Sequence, residues 1–260
     1  MTEPATQQDA VRRAIELYDR GFARAAIDVL EAELARFPDD GKLWRLRALL
    51  LQREGRREEA FDNIQRALIL FPLGYEGMLV LADGYARQGD RLAAGGILSD
   101  LAVDGCFPAE LWEPLYNGMA SIGRWQAALA ICRRASRQRP EDDSIYFAAS
   151  NALVRLGRPP QLALAMLRRA IGLNPSEPRY RISLAMLLAR MGDVEAGYRT
   201  FVELSREEVE SIDCRCCLHK ALQLCIDRGD ESRSSWLATR LATLAAARRG
   251  SSTSSTGEAS

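Results

Sequence analysis

Gly41-Lys-Leu-Trp44-Arg-Leu-Arg-Ala48-Leu-Leu-Leu-Gln-Arg-Glu-Gly55 runs directly into Arg56-Arg-Glu-Glu-Ala60-Phe-Asp-Asn-Ile64-Gln-Arg-Ala67-Leu-Ile-Leu-Phe-Pro72. Trp44, Ala48 and Leu51 share one face of a first helix, and Ala60, Ile64, Ala67 and Leu68 share one face of a second. Gly55 lies between them, where a helix C-terminus favours a left-handed residue and glycine has no Cβ to clash. Pro72 closes the second helix, because it cannot continue the hydrogen-bond ladder and it restrains the residue before it. The stretch reads as an antiparallel helix pair joined by a tight turn.

The punctuation repeats along the chain. Glycines recur at Gly21, Gly55, Gly89, Gly123, Gly157, Gly192 and Gly229, at intervals of 34, 34, 34, 34, 35 and 37 residues. Pro38, Pro72, Pro108, Pro140 and Pro175 follow the same beat. Two independent marks on one period indicate a repeat array. No β-branched alternation bounded by hairpin turns competes with this reading.

The period and its pattern resemble the tetratricopeptide repeat family, a helix-turn-helix unit of 34 residues. With each unit starting fourteen residues before its glycine, position 4 holds Trp44, Met78, Trp112 and Tyr146. Position 8, small in the family, holds Ala14, Ala48, Ala82 and Ala185, whereas Tyr116 and Ser150 depart from it. Position 20 holds Ala26, Ala60, Ala94 and Ala128, and position 27 holds Ala67 and Ala135; Ala163 and Ala170 fit after a one-residue insertion at Pro159-Pro160. The resemblance implies an all-α protein, a right-handed α-solenoid of stacked antiparallel helix pairs. Residues 7–211 read as six repeats and 212–248 as a degenerate seventh, capping pair. Residues 1–6 and the low-complexity 249–260 read as disordered flanks. The repeats are expected to form one elongated domain with a continuous core.

Composition narrows the function. The 260 residues carry 35 basic and 35 acidic side chains, one histidine and 47% hydrophobic residues. The basic residues are almost all Arg; Lys42 and Lys220 are the two lysines. Balanced charge and a high apolar fraction exclude a disordered chain, and a net charge of zero argues against nucleic acid as a partner. The polar start has no basic and apolar signal pattern, and no run reaches the 18 apolar residues of a membrane span. The expectation is a cytoplasmic protein with reduced cysteines and no direct membrane insertion.

No catalytic motif is present: no G-x-S-x-G elbow, no H-E-x-x-H, no phosphate-binding glycine loop. Acidic pairs such as Glu58-Glu59 and Glu207-Glu208 sit at helix N-termini, where the dipole favours them. Neither a cofactor nor a metal is expected. The segment Cys214-Arg-Cys216-Cys217-Leu-His219 has ligand chemistry, but on one continuous helix Cys214 and Cys217 join Leu218, Ala221 and Cys225 in an apolar stripe while Cys216 and His219 point elsewhere. Gly95-Gly96 interrupts a second helix and reads either as a flexible joint or as close packing.

The resemblance also implies a groove lined by the first helix of each pair. Its positions 5 and 9 hold Arg45 and Leu49, Leu79 and Asp83, Glu113 and Asn117, Phe147 and Asn151, and Ile182 and Met186. Apolar side chains there would bury a ligand, and Asn117 and Asn151 could bond a peptide backbone through donor and acceptor or merely hydrate the face. The expected function is a non-catalytic scaffold binding a protein or peptide partner. An assembly or secretion chaperone and a self-associating structural scaffold are the alternatives.

Overall fold

The computed structural model describes residues 3–212 and 214–253. Among these residues the regular structure is helical, with no strand. The contacts divide the chain at Ala135/Ser136 into two compact units, where the sequence reading treats the repeats as one domain.

The first unit contains α1 (Glu3–Asp19), α2 (Ala23–Arg36), α3 (Gly41–Arg53), α4 (Arg57–Leu70), α5 (Gly74–Arg87), α6 (Arg91–Val103), a 3-10 turn (Ala109–Leu111) and α7 (Trp112–Ser121). α8 (Trp125–Gln138) spans the division in sequence. The second unit contains α9 (Asp143–Arg155), α10 (Pro160–Leu173), α11 (Pro178–Arg190), α12 (Val194–Val202), α13 (Arg206–Glu210), α14 (Arg215–Asp227) and α15 (Glu231–Thr253). α1 packs on α2, α3 on α4 and α5 on α6; likewise α9 packs on α10, α11 on α12 and α14 on α15. Residues 3–6 are helical, as are 249–253; the rest of the expected disordered flanks, 1–2 and 254–260, lies outside the described residues.

The repeating small residues form the seams. Ala26, Ala60, Ala94, Ala128 and Ala163 are each fully buried, as are Ala14, Ala48, Ala67, Ala170 and Ala185. The turn glycines supply the other half of the pattern: every one from Gly21 to Gly229 has positive φ, between 62° and 93°. Prolines leave their carbonyls in the loops between pairs, and in three units the residue at position 4 reaches back six residues to satisfy one. Trp44 Nε1 donates to the Pro38 carbonyl at 2.7 Å, Tyr146 Oη to that of Pro140 at 2.8 Å, and Arg181 to that of Pro175 at 2.7 Å. The position thus combines an apolar body with a donor tip.

Arginines do more than solvate the surface. Helix C-termini leave carbonyls without partners, and the guanidinium fork can reach several at once. Arg134 donates to the carbonyls of Ala102 and Asp104 past the end of α6. Arg233 reaches the Val202 carbonyl at the end of α12, and Arg240 that of Ile212. Arg124 bonds the Gly95 carbonyl and Ser99 Oγ, and a Cβ on Gly95 would fall 2.7 Å from its guanidinium. Of the two readings of Gly95-Gly96, close packing therefore applies to Gly95, while Gly96 faces open space.

The sixth unit departs from a simple pair. Its second helix stops after nine residues at Val202, and α13 starts again behind Ser205. Ser205 and Glu208 form a reciprocal capping box, at 3.1 Å and 2.8 Å. Leu204, Val209 and Ile212 then turn inward to join Phe201 in the core of the second unit.

Gly84→Ala is expected to destabilise the protein by about 1–3 kcal/mol, because the added methyl would enter the buried Phe61 ring. Gly96→Ala is expected to stabilise it by about 0.4–1 kcal/mol, since its Cβ meets nothing and the residue is already helical. Ser205→Ala is expected to lose about 0.5–2 kcal/mol with the cap. Denaturant titration followed by circular dichroism measures all three; an unchanged midpoint for Gly84→Ala contradicts the close approach of α5 to Phe61.

Candidate functional site

Within the first unit, the first helices of adjacent pairs frame a cavity of about 520 Å³. Leu49 and Gln52 enter it from α3, Leu79 and Asp83 from α5, and Pro114 and Asn117 from α7. Four of the groove residues expected from sequence, Leu49, Leu79, Asp83 and Asn117, are therefore gathered at one place. Gln52 Nε2 donates to Asp83 Oδ2 at 3.2 Å, and Arg53 pairs with Glu76 at 3.6 Å on the rim. Asn117 is exposed, and no side-chain hydrogen bond to another described residue holds its amide.

In the second unit, α9, α11 and α14 frame a cavity of about 450 Å³. Asn151 and Val154 contribute from α9, Met186 from α11, and Cys217, Lys220 and Asp227 from α14. Its lining is mainly apolar, with the exposed Asn151 amide and the Lys220 ammonium at its edge. Gln223 Nε2 donates to Asp227 Oδ1 at 2.7 Å and fixes that carboxylate.

Some expected groove positions have structural work instead. Arg45 lines a shallower depression of about 390 Å³, but its guanidinium bonds the Leu73 carbonyl at 3.4 Å and lies over the Phe71 ring at 5.3 Å. Phe147 is half-buried against Tyr180, with ring centroids 4.7 Å apart. Tyr180 in turn bonds the Asp143 carboxylate through its hydroxyl; burial first, and then that carboxylate, push its pKa up. Ile182 is fully buried in the core, so it forms the cavity floor more than a contact surface. Glu113 is exposed on the first turn of α7, outside both cavities, where its charge complements the helix dipole.

Sequence reasoning missed Gln52 and Val154, which are position 12 of their units, and the whole contribution of α14. The signal was present: Cys217, Lys220, Leu224 and Asp227 recur at helical spacing on the first helix of the seventh pair. Treating that pair only as a cap hid it.

The cysteines also differ from expectation. Cys132 and Cys225 are buried, and burial pushes each thiol up to about 12. Cys214, however, is not inside α14 but at its N-cap, with extended backbone at φ −75° and ψ 98°. The three thiols are therefore not spread along one continuous helix, contrary to what the spacing suggests. The sulfurs of Cys214, Cys216 and Cys217 all lie within 4.8 Å of one another. Burial works to raise the Cys214 thiol, but hydrogen bonds from the other two thiols and from the amides of the first helical turn outweigh it and leave it low. His219 is exposed and outside the group.

Comparison with known proteins follows the same lines. A family model described as tetratricopeptide repeat matches residues 11–73 and 147–198. Sequence comparison with curated proteins finds no match. Among solved structures, PilW, a widely conserved type IV pilus biogenesis factor, is 14% identical with a TM-score of 0.65, covering 88% of this chain and 97% of its own. PilF of Pseudomonas aeruginosa is 15% identical with a TM-score of 0.57, over 78% of this chain and 91% of that one. The C-terminal part of a tetratricopeptide repeat-containing protein of Cytophaga hutchinsonii is 12% identical with a TM-score of 0.59, over 90% of this chain and 95% of that part. At these identities the likeness is one of fold. Among the described residues no helix is long and apolar enough to cross a membrane. The periodic glycines, the buried alanine seams and the family model over residues 11–73 and 147–198 agree: these segments match the tetratricopeptide repeat family, and the chain shares the fold of tetratricopeptide repeat proteins.

Proposed function

We propose that this protein is a non-catalytic interaction scaffold that holds a peptide or partner segment in the cavities between its first helices. The observation that carries the reading is the pairing, in each unit, of an apolar cavity with an exposed asparagine amide that no neighbouring side chain occupies. An asparagine side chain offers the donor and acceptor that an extended backbone needs, while Leu49 and Leu79 in one unit and Val154 and Met186 in the other offer apolar contact. Cavities of this size accept one or two side chains of a segment instead of a whole domain. The fixed carboxylates of Asp83 and Asp227 and the ammonium of Lys220 would select among segments by charge.

Phe147 is unsuitable for a test, because truncating it would unseat Tyr180. The informative variant is Asn117→Ala/Asn151→Ala/Met186→Ala, compared with wild type in affinity capture from the native cell. Partners held in the cavities should be recovered about tenfold less well, or worse, while circular dichroism stays unchanged. Equal recovery from both proteins would place the binding surface elsewhere.

A further inference from the structure

The extended backbone of Cys214, at the N-cap, leaves its sulfur beside the opening turn of α14. Cys216 and Cys217, the second and third helical residues, project toward it. Cys214 Sγ and Cys216 Sγ are 3.0 Å apart, and all three sulfurs fall within 4.8 Å. Three sulfurs bound to one ion at about 2.3 Å would stand roughly 3.8 Å from each other, so small side-chain adjustments bring this trio to coordinating distance. Among the described residues it is the group of histidine, cysteine and carboxylate side chains whose donor atoms converge in this way.

We propose that Cys214, Cys216 and Cys217 form a three-thiolate site for a soft d10 metal ion of the zinc(II), cadmium(II) or copper(I) class. The donor set is all sulfur, which selects thiophilic ions over magnesium or calcium. Coordination exchanges each S–H for a metal–sulfur bond and releases one proton per thiol to solvent, with no change of oxidation state. A divalent ion with three thiolates carries a net charge of −1, and Lys220, one turn beyond Cys216 on the same helix, supplies the compensating cation. Three protein ligands complete a trigonal site or leave one tetrahedral position open. Cys216 and Cys214 are accessible at the surface, and Cys217 also lines the cavity of the second unit. Site and cavity therefore share a wall, but the metal proposal stands whether or not a peptide binds.

The test titrates the reduced, full-length protein with cadmium(II), following sulfur-to-metal charge-transfer absorption, proton release and mass-spectrometric mapping of alkylated cysteines. One equivalent should bind, develop the band, release protons, and withdraw Cys214, Cys216 and Cys217 from alkylation while Cys106 still reacts. Cys216→Ser, at an exposed position, should keep the fold and lose most of the band; Cys214→Ser/Cys216→Ser/Cys217→Ser should lose it entirely, and Cys106→Ser should lose none. Displacement of cadmium by zinc(II) or by copper(I) identifies the preferred ion. Absence of the band in the reduced wild type, or a band of wild-type strength in Cys216→Ser or in the triple variant, would overturn the site.

Discussion

The close approach of paired helices sets the terms for everything else in this molecule. Fully buried alanines stand where α2, α4, α6, α8 and α10 meet their neighbours, and a larger side chain at any of them would push a seam apart. Where alanine is still too large, glycine replaces it: a Cβ on Gly197 would lie 2.6 Å from the Ala185 carbonyl oxygen, so α11 and α12 touch backbone to side-chain root. Short spacing brings larger residues from the next pair into the same layer. Leu30, Leu43, Leu51 and Ile64 fill that layer in the first unit, and Phe201, Ile212 and Leu218 fill it in the second. Burial of this apolar surface, at about 25 cal/mol per Å², is what holds helices that would be marginal alone.

Close packing creates a polar problem that the arginines and the position-4 residues solve. Each turn and each helix end exposes carbonyls whose intrahelical partners are missing, and stacking partly hides them from water. Side chains from the following pair reach those carbonyls, as Trp44, Tyr146, Arg134 and Arg233 do. Arg66 and Arg169 also lie over the Trp44 and Tyr146 rings, at 4.7 Å and 5.7 Å, which seats the donor side chains. The preference for arginine over lysine thus has a structural use: a planar fork can serve a carbonyl and a ring together.

The helix pairs, their turns and their small-residue seams were legible in the sequence because each is enforced locally or by a strict period. The candidate site was only partly legible. Register alone assigned Leu49, Leu79, Asp83, Asn117, Asn151, Met186 and Ile182 to a single groove; the structure distributes them over two cavities, one in each unit. Register could not say that Arg45 is committed to the Leu73 carbonyl or that Phe147 leans on Tyr180, since both depend on partners 28 and 33 residues away. The cysteine trio was misread for a related reason. A single extended residue at an N-cap changes which side chains converge, and helical spacing carries no record of where the helix begins.

By itself, the sequence determined the repeat, the helical class and the positions where only small residues fit, because Gly and Pro punctuation and 3.6-residue periodicity act over one or two turns. Tertiary structure decided which polar groups remain available to a ligand and which are consumed as internal bonds. That distinction rests on contacts between successive pairs. It also decided that Ser205 begins a new helix within the sixth unit and that three thiols meet at the start of α14. Both depend on where a helix starts, and Leu204, Val209 and Ile212 anchor α13 and its flanks in the core of the second unit.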